Sequence, residues 1–301
     1  STIRCTGTTN GNGSLYSIAS GVQFLSGQSS LIIDDGHIYL GGFTYRSISI
    51  TGNEYAQLYG SNHIGRLDCA PSQFGDELSS VDDQNIDSLF CLRDYTNNGF
   101  WGGGNSNLGD TILYAEVAGS LTLTSGSCFL GRCIVAGGLS GTNLRANYCQ
   151  AGTIWFSNCT IDSAWSTGDG SFASSTITYV QVGGTSTLGS GNNITTCILN
   201  GNGTFTGSST FGVLDLEPSF SYTFGSGETQ TIGANLIANG SCTSLVTMRS
   251  SVSGSSSSIS KSGGSINLNG VLLQDMTAVG GASFVVTNGI DNGNNTGWSI
   301  T

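Results

Sequence analysis

The chain has 301 residues, 47 of them Gly and two Pro, with eight basic against 19 acidic residues and a formal net charge of −11. So sparse and negative a charge set lacks the basic clusters that nucleic-acid phosphates and anionic membrane surfaces require, and the lack of a Gly at every third position excludes collagen. The apolar fraction is low, at 37%, but Ile, Leu, Val and aromatic residues alternate with polar ones in short runs, which is the mark of strands and not of a disordered chain.

Residues 1–118 are the less regular part. Strand-like runs fall at Gly21–Leu25, Ser30–Ile33, His37–Leu40 and Tyr45–Ile50. Asp34-Asp35-Gly36-His37 reads as a hairpin corner. Two long excursions follow, Asp68–Asp87 and Asp94–Asp110, of the kind that solenoids carry as lateral insertions and binding loops. The second holds Phe100 and Trp101 beside a Gly run, a candidate ligand contact. The first holds Asp76, Glu77, Asp82, Asp83 and Asp87, the densest acidic patch. Its oxygens suit calcium, but the spacing is not that of an EF-hand, and a solvated loop is the plainer reading.

From residue 119 the strands become even: Leu121–Thr124, Thr176–Val182 and Ile266–Asn269 alternate, with Thr, Asn, Ser and Gln at the outward positions. Three units overlay: Phe129–Val135, Trp155–Ile161 and Asn193–Leu199, each with a central Cys followed two positions later by Val135, Ile161 or Leu199. Alternation puts these pairs on one face, together with Phe129 and Trp155 four positions before the Cys. Repetition at this scale implies a solenoid whose coils bury each other's apolar face. The expectation is one elongated all-β domain, a single-stranded right-handed parallel β-helix over 1–301 with irregular loop insertions in its N-terminal third. At ~4.8 Å per coil, about ten to thirteen coils give a rod some 50–60 Å long.

The nine cysteines show no CxxC pair, and His occurs only at 37 and 63, so a zinc site is not expected. Cys133, Cys159 and Cys197 are expected to stack in the core as small hydrophobes, against the alternative of a disulfide framework. Nothing in the pattern asks for a cofactor. No secretory signal or membrane-spanning stretch is seen, and Ser1 in place of Met suggests a processed or excised chain.

The last hundred residues contain, in order, Tyr222–Ile232, Leu245–Ser251, Gly270–Asp275 and Gly293-Asn-Asn-Thr-Gly-Trp298. This series resembles right-handed parallel β-helix segments of bacterial surface adhesins, particularly of Bacteroidota, and of phage or virus fibre and spike proteins. The resemblance covers about a third of the chain. It implies extracellular display on a cell surface or virion, a C-terminal cap around 293–301 with Trp298 as its plug, and no particular activity.

Enzymatic use of such a fold on polysaccharides needs two carboxylates roughly 5–10 Å apart. Asp162 and Asp169, near Trp155 and Trp165, are the best local pair, with Trp155 assigned to the core by its alignment with Phe129. The expected function is a non-catalytic adhesive or structural module that holds a face for a receptor or glycan, with Phe100, Trp101 and Trp165 as contacts. A glycan hydrolase or lyase and a self-assembling filament subunit are the alternatives, and a homo-oligomer such as a trimer is open in each.

Overall fold

A computed structural model describes residues 2–5, 15–17, 30–33, 37–39, 44–50, 56–59, 62–69, 77–80, 84–91, 94–97, 111–123 and 127–301. Among them there is no helix, and the strands pair in parallel register. The chain divides into two compact units, 1–152 and 153–301, each a parallel β-solenoid. The described strands of the two make about 12 turns in all.

In residues 1–152 each turn contributes one long and one short strand. The long strands Ser30–Ile33, Thr44–Ile50, Asn62–Cys69, Gln84–Cys91, Thr111–Val117 and the start of Phe129–Thr142 pair in sequence. The short strands His37–Tyr39, Ala56–Tyr59, Glu77–Ser80, Asp94–Asn97 and Leu121–Leu123 form a second sheet. Equivalent residues therefore stack: Tyr45, Ile64, Ile86, Ile112 and Leu130 in one buried row, Ile48, Leu67, Leu89, Ala115 and Cys133 in the next. The expected hairpin at 34–37 is corrected by this pairing. Ser30–Ile33 and His37–Tyr39 do not pair with each other, and each runs parallel to strands of other turns. Both acidic and Gly-rich excursions also contain solenoid strands, Glu77–Ser80 and Asp94–Asn97. Gly21–Leu25 and the stretches 70–76 and 98–110 lie outside the described residues.

In residues 153–301 the register Thr160–Thr176–Asn193–Thr210 sets turns of 16 and 17 residues. Each long strand is entered through a residue in the left-handed region, Asn158, Ser174 or Gly191, with φ of 59°, 50° and 76°. Asn, Ser and Gly stand there because other side chains pay a steric cost in that conformation. The short-strand sheet buries Phe156, Phe172, Leu188, Phe205 and Phe224 in one row, and Phe205 stacks on Phe224 with centroids 4.5 Å apart. Each such ring adds about 1.5–3 kcal/mol by leaving water.

Strict alternation fails once in every regular long strand. Thr160–Ser166, Thr176–Val182 and Asn193–Leu199 bury their second, fifth and seventh residues, so two successive residues face away from the core between the first two. Thr44–Ile50 repeats the same spacing in the other unit. The chain crowds its neighbour at this kink: a Cβ on Gly131 would lie 2.3 Å from the Leu113 carbonyl oxygen.

A buried polar row lines the corner beside the kinked sheet. The Cys159 amide donates to Ser175 Oγ, the Ser175 amide to Asn192 Oδ1, the Asn192 amide to Ser209 Oγ and the Ser209 amide to Gln230 Oε1, at 3.1–3.2 Å. Asn192 Nδ2 donates in turn to the Phe172 and Gly189 carbonyls. Each side chain thereby satisfies a backbone group that the corner removes from the sheet ladder. Farther on, a bulge after Phe211 exposes the Gly233 and Ala234 carbonyls, and buried Lys261 donates to both, at 2.9 and 2.8 Å.

Candidate binding face

Side chains that leave a solenoid's core repeat once per turn, so each outward row makes a track up the sheet. On the long-strand sheet of residues 153–301, one row runs Ser163, Tyr179, Thr196, Val213 and Asn235, and the next runs Trp165, Gln181, Ile198, Asp215 and Ile237. Trp165 and Tyr179 meet diagonally, with ring centroids 5.2 Å apart and planes tilted by 39°. The Tyr179 hydroxyl donates to Gln181 Oε1 at 3.1 Å, which fixes the phenol along the sheet. Both rings are half-buried, held on one side and wet on the other.

Asp215 lies on the rung between Ile198 and Ile237. Burial there pushes its carboxyl above the ordinary range, and the Glu217 carboxylate two residues on adds to the rise. Beneath it the Cys197 thiol is also raised, chiefly by complete burial and then by Asp215, so this sulfur is an inert core group.

The long-strand sheet of residues 1–152 carries a related outward pattern. Arg66 forms a two-pronged pair with Asp68, both bonds 2.8 Å, while its guanidinium lies 4.1 Å from the Phe90 ring centroid. That hydrogen bonding raises the Arg66 pKa further. Phe90 packs on Tyr114 at 5.6 Å, Tyr114 donates to Glu116 at 3.1 Å, and Arg132 stands 5.0 Å over Tyr148, which donates to Gln150 at 3.1 Å. The Tyr114 pKa rises through desolvation first and the Glu116 hydrogen bond second. Tyr114-x-Glu116, Tyr148-x-Gln150 and Tyr179-x-Gln181 are thus one device used three times. The spacing is visible in the sequence, but neither it nor the aromatic row it builds is singled out by the Cys-centred alignment.

Of the expected contacts, Trp165 joins this face, and Phe100 and Trp101 lie outside the described residues. So do Asp76, Asp82, Asp83 and the side chain of Glu77, while Asp87 Oδ1 lies 3.2 Å from His63 Nε2. Among the described residues no three His, Cys, Asp or Glu side chains converge as metal ligands. Asp162 is an outward residue of Thr160–Ser166, and Asp169 lies in the corner three residues past its end. Asp169 Oδ1 accepts from the Thr185 amide at 2.8 Å and so holds a corner.

Trp155 requires a correction. It is 47% exposed, on an outward row of the short-strand sheet, and Phe156 is the core residue. The expected cysteine stack does not form either. Cys133, Cys159 and Cys197 are all buried, but Cys133 has Ala115 as its ladder neighbour, Cys197 has Val180 and Leu214, and Cys159 is a corner residue beside Ser175. Trp298 packs edge-on against Phe284 at 5.1 Å, with its indole N–H buried and unpaired. Around it the Asn-Asn pair ties down the last turn: Asn294 donates to Asp275, and Asn295 donates to the Leu273 carbonyl and accepts from the Met276 amide.

Comparison with protein-family models, curated proteins and solved structures finds no match to this chain. The functional reading therefore rests on the faces themselves.

Proposed function

We propose that this chain is a non-catalytic, surface-displayed adhesive module that holds a glycan or a glycosylated receptor against the outward sheet face around Trp165. The observation that carries the reading is the Trp165–Tyr179 pair, with Gln181 and Thr196 on adjoining positions. Aromatic rings held by one edge offer an apolar platform to a sugar ring, and neutral amide and hydroxyl groups beside them meet its hydroxyls. A fixed β-ladder supplies that arrangement with little ordering on binding.

A glycan array with the wild-type chain and Trp165→Ala tests it. Retention of one glycan class, reduced about tenfold or more in the variant, is the expected outcome. Equal retention by both chains overturns the site, and silence across the array favours the filament-subunit alternative. The polysaccharide-degrading alternative keeps one specific support, the raised Asp215 carboxyl on the outward row of Trp165, with Glu217 just past the end of its strand. On that reading any glycan cleavage disappears in Asp215→Asn.

A further inference from the structure

The short-strand sheet of residues 153–301 has its own outward row, and its two ends differ chemically from its middle. Register places Trp155, Ser171, Thr187, Thr204, Thr223 and Arg249 on successive rungs. Ser186–Leu188 and Gly203–Phe205 each turn a single side chain outward, so the middle is single-file hydroxyls. At one end Trp155 is 47% exposed, although Phe156 beside it is buried. At the other end stands exposed Arg249, whose ladder neighbours Thr223 and Gln274 are neutral. Residues 153–301 contain only two cations, and the second, Lys261, is buried on the Gly233 and Ala234 carbonyls. Arg249 is therefore the single exposed cation of a unit that also carries seven carboxylate side chains.

We infer that this row is a second, linear track that takes an acidic polysaccharide, a chain of uronic-acid type. A sugar ring stacks on Trp155, ring hydroxyls follow the Ser/Thr row, and a carboxylate docks on Arg249. The chemistry follows from the parts: an exposed indole is a sugar platform, hydroxyls both donate and accept, and a guanidinium matches a carboxylate in two-pronged geometry. Six rungs with five spacings of ~4.8 Å give a track about 24 Å long, the reach of an oligosaccharide and not of a monosaccharide. Arg249 is the one exposed cation of this unit, and so the one side chain there that can pair with a sugar carboxylate. The inference shares the ligand class of the proposed function but lies on a different sheet, so either can fail alone.

Calorimetric titration with an oligogalacturonate hexamer, the corresponding trimer and a neutral glucan hexamer tests it, on the full chain and on Trp155→Ala, Arg249→Gln and Trp165→Ala. These are solvent-facing positions, and unchanged melting temperatures confirm that each variant folds. The expected result is hexamer binding that exceeds trimer binding, a loss of about fivefold for the acidic hexamer alone in Arg249→Gln, and weakening of both hexamers in Trp155→Ala. Trp165→Ala leaves the acidic hexamer unaffected. No binding of the acidic hexamer, or binding that survives both Trp155→Ala and Arg249→Gln, overturns the track. Loss of acidic-hexamer binding in Trp165→Ala alone would assign it to the Trp165 face and leave the proposed function standing.

Discussion

Single residues in this chain are held to their roles mainly by what the backbone around them lacks. Asn192 is the clearest case, since its side chain serves the Ser175 amide and the Phe172 and Gly189 carbonyls at a buried corner. Asn192→Ala leaves these groups unpaired and should cost about 2–3 kcal/mol in a urea melt. A cost near zero would mean that the polar row is incidental. Asp215 presents the opposite case, a carboxylate whose fold position opposes its charge. Its folded pKa lies above the unfolded value, so its contribution is fully present below the ordinary carboxylate pKa and is lost as pH rises through the raised value. Asp215→Asn removes that loss. Its melting temperature should exceed wild type by about 1–2 °C at pH 7 and match it near pH 3. A variant less stable than wild type at neutral pH would show that the carboxylate makes a compensating contact.

At the scale of strands, the sequence displays the stacking rows well and the outward faces poorly. The pairs Cys133–Val135, Cys159–Ile161 and Cys197–Leu199 are read correctly, since both members of each are buried, whereas the even alternation expected of Thr176–Val182 is broken by the kink. Counting back from Cys133 to Phe129 fails, because the kink puts two successive residues outside, and Leu130 is the buried residue. Trp155 fails for a different reason: its strand, Arg145–Ser157, reaches the short-strand sheet, where the alternation runs in a different phase. A shift of one residue reverses every side chain beyond it. That error hid the exposed indole, and with it one end of the second track. The corner polar row was equally hidden, because Ser, Asn and Gln read as solvent-facing until turns of 16 and 17 residues bring them into register. Packing within the short-strand sheet is testable directly. Phe205 sits between Phe224, stacked at 4.5 Å, and Phe211, edge-on at 6.0 Å. Phe205→Ala should destabilise the chain by about 3–5 kcal/mol in chemical denaturation, whereas Thr204→Ala, its outward neighbour, should change stability by about 0.5 kcal/mol or less.

For the whole molecule, composition supports the proposed function. A thin-cored solenoid satisfies its backbone through ladders and corner side chains, which is why 47 Gly and many Ser, Thr and Asn coexist with a regular fold. Its net charge of −11 agrees with the neutral, hydroxyl-rich ligand proposed for the Trp165 face. Binding at the Trp165 face should therefore change little between low and physiological salt, a titration that separates it from an ion-pairing site. The central claim is that this face holds a glycan without altering it. Saturation-transfer NMR on a retained glycan, followed with wild-type chain and Trp165→Ala over a day, reads both halves of that claim at once. The account predicts transfer to sugar-ring protons that falls sharply in the variant, with the glycan spectrum unchanged throughout. New chain-end signals, or transfer undiminished without Trp165, would contradict it.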